Sequence, residues 1–252
     1  MRVWSVGLAV GIAIGTSSLA GSARADEVEG KHRFGDRGFI VSADRLLPLL
    51  SYDSIKVSSD GSSETQSRFS LALTNSGPYG VFSSFYNLPR VSFDWLPVRN
   101  LTIGASTWLY MDLSANQTIS PAGGSSTTSD QPKVTYWGVA PRVGYVIPFG
   151  DKLYFWPRAG VEYYDVSTSN VGNGSGSIQE FAIDVEAMLV VSPWTHFGFT
   201  VGPTVDIPIS GEQTTTAAIP TGTTMATTTT TTSRLDSTMF QVGLSAGMLG
   251  HF

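Results

Sequence analysis

Residues 133–164 read KVTYWGVAPRVGYVIPFGDKLYFWPRAGVEYY, and a period of two runs through both halves. Before Pro148–Asp151, the set Thr135, Trp137, Val139, Pro141, Val143 and Tyr145 alternates with Tyr136, Gly138, Ala140, Arg142 and Gly144. After it, Leu153, Phe155, Pro157, Ala159, Val161 and Tyr163 alternate with Tyr154, Trp156, Arg158, Gly160, Glu162 and Tyr164. Successive side chains of a strand point to opposite sides, so this pattern describes a hairpin with two unlike faces. One face is apolar. The other mixes glycine, aromatic rings and isolated charges, which is a poor surface for water but a suitable filling for a narrow barrel. A soluble sandwich or lipocalin-like barrel would point its apolar face inward and carry abundant Lys and Glu outside.

The same alternation recurs in eight segments: Arg37–Leu47, Pro89–Leu96, Leu101–Leu113, Lys133–Ile147, Lys152–Val166, Gln179–Val191, Thr195–Ile207 and Leu235–Phe252. Three connections are short (97–100, 148–151 and 192–194), and they alternate with four long ones (48–88, 114–132, 167–178 and 208–234). Tight turns at one end and long loops at the other predict an all-β, transmembrane, up-and-down antiparallel barrel. Ten strands are the alternative, because 68–74 also alternates and reads either as an extra strand or as an extension of the first hairpin. The longest loop holds twelve threonines between Gln213 and Thr232 and reads as a polar, solvent-facing segment.

Composition agrees. Only 14% of the 252 residues are charged against 41% hydrophobic, where soluble domains carry about 25% charged residues. No apolar run is long enough for a membrane helix. The absence of cysteine excludes a disulfide scaffold, a thiolate metal site and a cysteine nucleophile. Fifteen basic residues against twenty acidic ones, with no basic cluster, argue against nucleic-acid binding.

The start of the chain has the order of a secretory signal peptide: Arg2, the apolar run Val6–Ile14, then Ala23-Arg24-Ala25. Residues 1–25 are read as that signal, 26–36 as a periplasmic leader and 37–252 as the barrel. Trp95, Phe39, Phe155 and Trp194 fall at the turn end of the outer face. Trp137, Tyr163 and Phe240 fall toward the loop end, so two aromatic girdles are in prospect.

The inner-face charges form the candidate site. A hairpin turning about Gly150 would pair residues whose numbers sum to 300, setting Arg142 opposite Arg158 and Gly138 opposite Glu162. Facing guanidinium groups repel, so carboxylates must lie close; Asp44, Glu162, Asp184 and Glu186 are the candidates. This predicts a salt-bridge network that plugs the lumen, with a charged constriction for small solutes as the alternative. Arg45 falls on the apolar face and is expected to reach headgroups. Pro141, Pro157 and Pro203 also fall there and predict bulges.

Catalysis finds little support. His196 and His251 lie in predicted strands and His32 in the leader; His196 is placed beside Val190, away from any acid. No His, Asp and Glu spacing suggests a metal site, and no cofactor motif occurs.

Three phrases, LPRVSFDWLPVRNLTIGAS (88–106), APRVGYVIPFGDKLYFWPRAG (140–160) and SPWTHFGFTVGPTVDIPISG (192–211), resemble a group of small outer-membrane β-barrel proteins of Gram-negative bacteria. The terminal Phe252 resembles the C-terminal signal that such barrels present to their assembly machinery. The resemblance implies fold, an outer-membrane location, lipid contact and that assembly partner. It implies no catalytic residue and no substrate. The reading is a non-enzymatic structural or surface-interaction barrel with an unknown ligand. The alternative is a narrow passive channel for small or hydrophobic solutes, and a lipid-modifying enzyme ranks below both.

Overall fold

A computed structural model of the chain describes residues 33–59, 62–71, 88–113, 116–120, 126–130, 132–169, 174–221 and 227–252. The signal segment and most of the leader lie outside them. Eight strands form the ring: β1 (Gly38–Ser59), β2 (Arg90–Val98), β3 (Leu101–Met111), β4 (Lys133–Tyr145), β5 (Leu153–Ser169), β6 (Gly174–Trp194), β7 (Phe197–Thr221) and β8 (Thr227–His251). Each pairs antiparallel with its sequence neighbours, and β8 returns to β1 to close the circle. Closure leaves the ring without a free edge, the condition for crossing a membrane with strands.

The burial pattern follows the sequence alternation. In β2, Arg90, Ser92 and Asp94 are buried while Val91, Phe93 and Trp95 are each more than half exposed. Polar inside and apolar outside inverts a soluble protein. The outer face carries Phe39, Trp95, Trp137, Trp194 and Phe252, all exposed, with Phe155, Tyr163 and Phe240 half-buried beside them. Trp137, Tyr163 and Phe181 run together, with ring centroids 5.4 and 4.8 Å apart. Phe149 stacks on Phe155 at 6.3 Å, and Phe39 on Phe252 at 5.4 Å.

Several sequence expectations need correction. The long connections are shorter than read, because β-branched and hydroxyl residues continue the ladders beyond the apolar belt. The Thr-rich stretch is paired from Glu212↔Asp236 to Thr221↔Thr227. Among the described residues Ser62–Leu71 pairs with β1 alone, which favours the hairpin extension over an extra strand of the ring. The hairpin β4–β5 turns about Asp151, since Ile147↔Phe155 and Pro148↔Tyr154 continue the pairing and Phe149 N donates to Leu153 O at 2.9 Å. That moves the register by two: Arg142 faces Gly160 and Arg158 faces Gly144, so the two arginines are not opposite one another. Pro141, Pro157 and Pro203 sit in ladders with no register shift around them, each forgoing one backbone donor.

The main irregularities lie elsewhere, and one of them overturns the placing of Arg45. Ala43 pairs with Met248 and Leu47 with Ala246, so β1 carries two extra residues at this point. Arg45 adopts a left-handed φ of 53° and its side chain turns into the lumen. An insertion in one strand re-aims the side chains that follow it. Two extra residues keep the parity, and Pro48 still points inward. The parity changes at a second irregularity between Pro48 and Leu50, where one more residue is inserted. Ser42 and Asp44 point inward before it, and Ser51 and Asp53 after it.

Candidate functional site: a charged core inside the barrel

The lumen is filled in tiers. At the turn end lies an apolar cluster of Phe34, Ile40, Leu96, Val146, Tyr154, Trp156, Met188, Val190 and Leu249. Phe34 comes from the leader and packs edge-on against Tyr154, Trp156 and His251, with centroids 5.2, 5.5 and 5.5 Å away. Asn100 N donates to Gly35 O at 2.7 Å and holds that segment under the barrel. Toward the loop end lies a second cluster with Trp108, Tyr136, Ala140, Tyr164, Val166, Ala182 and Met239.

Between them, six strands contribute charges. Arg142 donates to Asp94 (3.0 and 2.6 Å) and to Asp44 (2.8 Å), and lies 3.6 Å from Glu186. Arg158 reaches Asp44 at 3.2 Å and pairs with Glu186. Arg45 clasps Asp206 with two bonds of 2.8 and 3.0 Å, and reaches Asp184 at 2.9 Å and Glu186 at 3.2 Å. Arg90 lies 2.9 Å from Glu162 and 3.4 Å from Asp184. Every one of these side chains is at most 2% exposed. The arginines also stack on the flanking tiers, Arg90 over Trp108 at 4.2 Å and Arg158 over Trp156 at 4.3 Å.

Glycine makes this packing possible at two positions in particular. A Cβ on Gly160 would stand 2.1 Å from Pro141 O and 3.0 Å from Arg142 Cβ. One on Gly138 would stand 2.1 Å from the Trp108 ring.

Of the residues singled out by sequence, Asp44, Arg142, Arg158 and Glu186 meet directly. Glu162 and Asp184 lie in the same tier but engage Arg90 and Arg45. Arg45, Arg90, Asp94 and Asp206 were not in the sequence-derived set. Asp94 and Asp206 were legible as inward by parity, as was Arg90; only Arg45 had no signal.

The histidines lie at the turn end. His196 falls in the β6–β7 turn, not in a strand, and Val190 pairs with Thr200 instead. His196 Nδ1 is 2.9 Å from His251 O. His251 Nε2 lies 3.3 Å from Ser192 Oγ, whose hydroxyl faces the Trp194 and Phe197 carbonyls at 2.9 and 3.1 Å.

No family model and no curated protein matches the sequence. Several solved structures are similar over most of the chain. OprG, an outer membrane protein from Pseudomonas aeruginosa, is 9% identical with a TM-score of 0.47, over 88% of this chain and 100% of that one. Neisserial surface protein A is 13% identical with a TM-score of 0.39, over 85% and 97%. The Escherichia coli outer membrane protease OmpT is 9% identical with a TM-score of 0.37, over 89% and 99%. The eight-stranded ring itself rests on the strand pairing above.

Proposed function

We propose that the chain is an integral outer-membrane barrel of structural or surface-interaction type, closed to solutes along its lumen. The observation that carries this reading is the charged tier held between two buried tryptophans, with apolar side chains on both sides of it. A barrel of eight strands has an interior just wide enough for side chains to fill, and here the fillers are bonded to one another. The outward apolar belt and its aromatic rings suit lipid contact, and the signal-like order of residues 1–25 suits export. The loop-end ladders then form the surface available to a partner. A non-enzymatic role fits Ser192, a buried hydroxyl turned toward two backbone carbonyls.

The test is electrical. Purified barrels in planar bilayers should show no steady conductance, and the double substitution Arg142→Ser with Arg158→Ser should raise it by removing two large fillers. Steady conductance from the native protein would favour the narrow-channel reading.

A further inference from the structure

The charge tier does not balance. Six carboxylates, Asp44, Asp94, Glu162, Asp184, Glu186 and Asp206, meet four arginines, and Glu186 is shared by Arg45, Arg142 and Arg158. The tier is therefore two positive charges short, in a region where every side chain is at most 2% exposed. Uncompensated charge in such a setting is costly.

One oxygen each from Glu162, Asp184 and Asp206 lies within 4.8 Å of the other two. A second observation points the same way. Glu162 is wholly buried; its Oε2 lies against Arg90, and its Oε1 accepts no hydrogen bond from any described donor. We propose that Glu162, Asp184 and Asp206 together bind one divalent cation of the hard, oxygen-preferring class, with Ca²⁺ the best fit.

The chemistry supports the choice. Three carboxylates with no nitrogen or sulfur donor suit hard cations. Ca²⁺ stands about 2.4 Å from its ligands, so no two of them lie more than about 4.8 Å apart. It also tolerates irregular coordination, whereas Mg²⁺ demands near-octahedral geometry and retains several waters. Each carboxylate offers about four lone-pair sites, so Asp184 and Asp206 can serve Arg45 on one side and an ion on the other. A charge of two offsets the deficit of the tier. The three ligands come from β5, β6 and β7, which is why no spacing in the sequence announces them.

The mature protein should be refolded into detergent micelles with either Ca²⁺ or EDTA present, then assayed for bound metal and thermal unfolding. The expected result is about one Ca²⁺ per chain, a Tm higher by several degrees in Ca²⁺, and loss of both in Glu162→Gln. Native protein without bound ion and with equal Tm in the two buffers overturns the proposal, as does a Glu162→Gln barrel that keeps its ion. Should that variant fail to fold, Tb³⁺ can replace Ca²⁺ in the native barrel. Tryptophan-sensitised Tb³⁺ emission that Ca²⁺ competes away supports the site, and its absence overturns it.

Discussion

Asp44 and Arg45 are adjacent in sequence, yet both side chains point into the barrel and bind different members of the charge tier. Asp44 receives Arg142 and Arg158, while Arg45 takes Asp184, Glu186 and Asp206. A regular strand would send one of the two to lipid. The two-residue insertion opposite Met248–Ala246 and the left-handed backbone at Arg45 make the arrangement possible. A non-glycine residue in that conformation costs about 1–3 kcal/mol, which the three ion pairs of Arg45 offset.

Arg45→Met should therefore be the most damaging single change in β1. It takes one partner from Asp184 and Glu186 and leaves Asp206 without its arginine, and breaking a buried network by removing one partner costs about 3–5 kcal/mol. Arg99→Ala, at an exposed guanidinium 3.9 Å from Asp36, should stay within about 0.5 kcal/mol of the native protein. Urea unfolding of the refolded barrels measures both. A mild effect for Arg45→Met would mean that water, and not arginine, satisfies Asp184, Glu186 and Asp206.

Gly160→Ala tests the packing of β5 against β4. Its Cβ would meet a backbone oxygen at 2.1 Å, which a side-chain rotation cannot relieve. Overpacking of this kind costs about 1–3 kcal/mol, read as a lower urea midpoint. Gly150→Ala is the matching control, since a Cβ there meets nothing within 4 Å. Equal midpoints for the two variants would contradict the close approach of Arg142 to Gly160.

Much of this architecture is legible in the sequence because parity is robust. Val143 faces out and Arg142 in whatever the exact register, so the outer belt and the inward arginines follow from alternation alone. Register is more fragile. One residue of difference in a turn centre, Asp151 in place of Gly150, moves Arg142 from Arg158 to Gly160. Bulges defeat parity itself, and Arg45 is the case in point. The partners of Arg45 are illegible for a different reason: Asp184 and Asp206 reach it across the lumen, from strands far away in the chain, and only ring closure brings them together.

Membrane orientation can be read with single cysteines, because the native sequence has none. Ser126→Cys, exposed beside the Thr127–Asp130 ladder at the loop end, should react with a membrane-impermeant maleimide on intact cells. Gly150→Cys, in the β4–β5 turn, should react only after the outer membrane is permeabilised. The reverse labelling pattern would invert the barrel.

Phe252 closes the ring, and its two possible contributions can be separated. Its N donates to Phe39 O and its O accepts from Phe39 N, both at 2.9 Å, while its ring stacks on Phe39 and on His196. The backbone pair fixes the β1–β8 seam and does not depend on the side chain. The ring is 51% exposed, so removing it forfeits little buried area. Phe252→Ala should accordingly refold in vitro with a Tm close to the native value. In cells the same variant should accumulate less in the outer membrane, because the aromatic terminus is what the assembly machinery is proposed to recognise. Deleting the residue removes the backbone pair as well, so it should lower both the Tm and the cellular yield. Heat-modifiable protein at native abundance from Phe252→Ala would rule out the recognition role and leave Phe252 as a seam residue only.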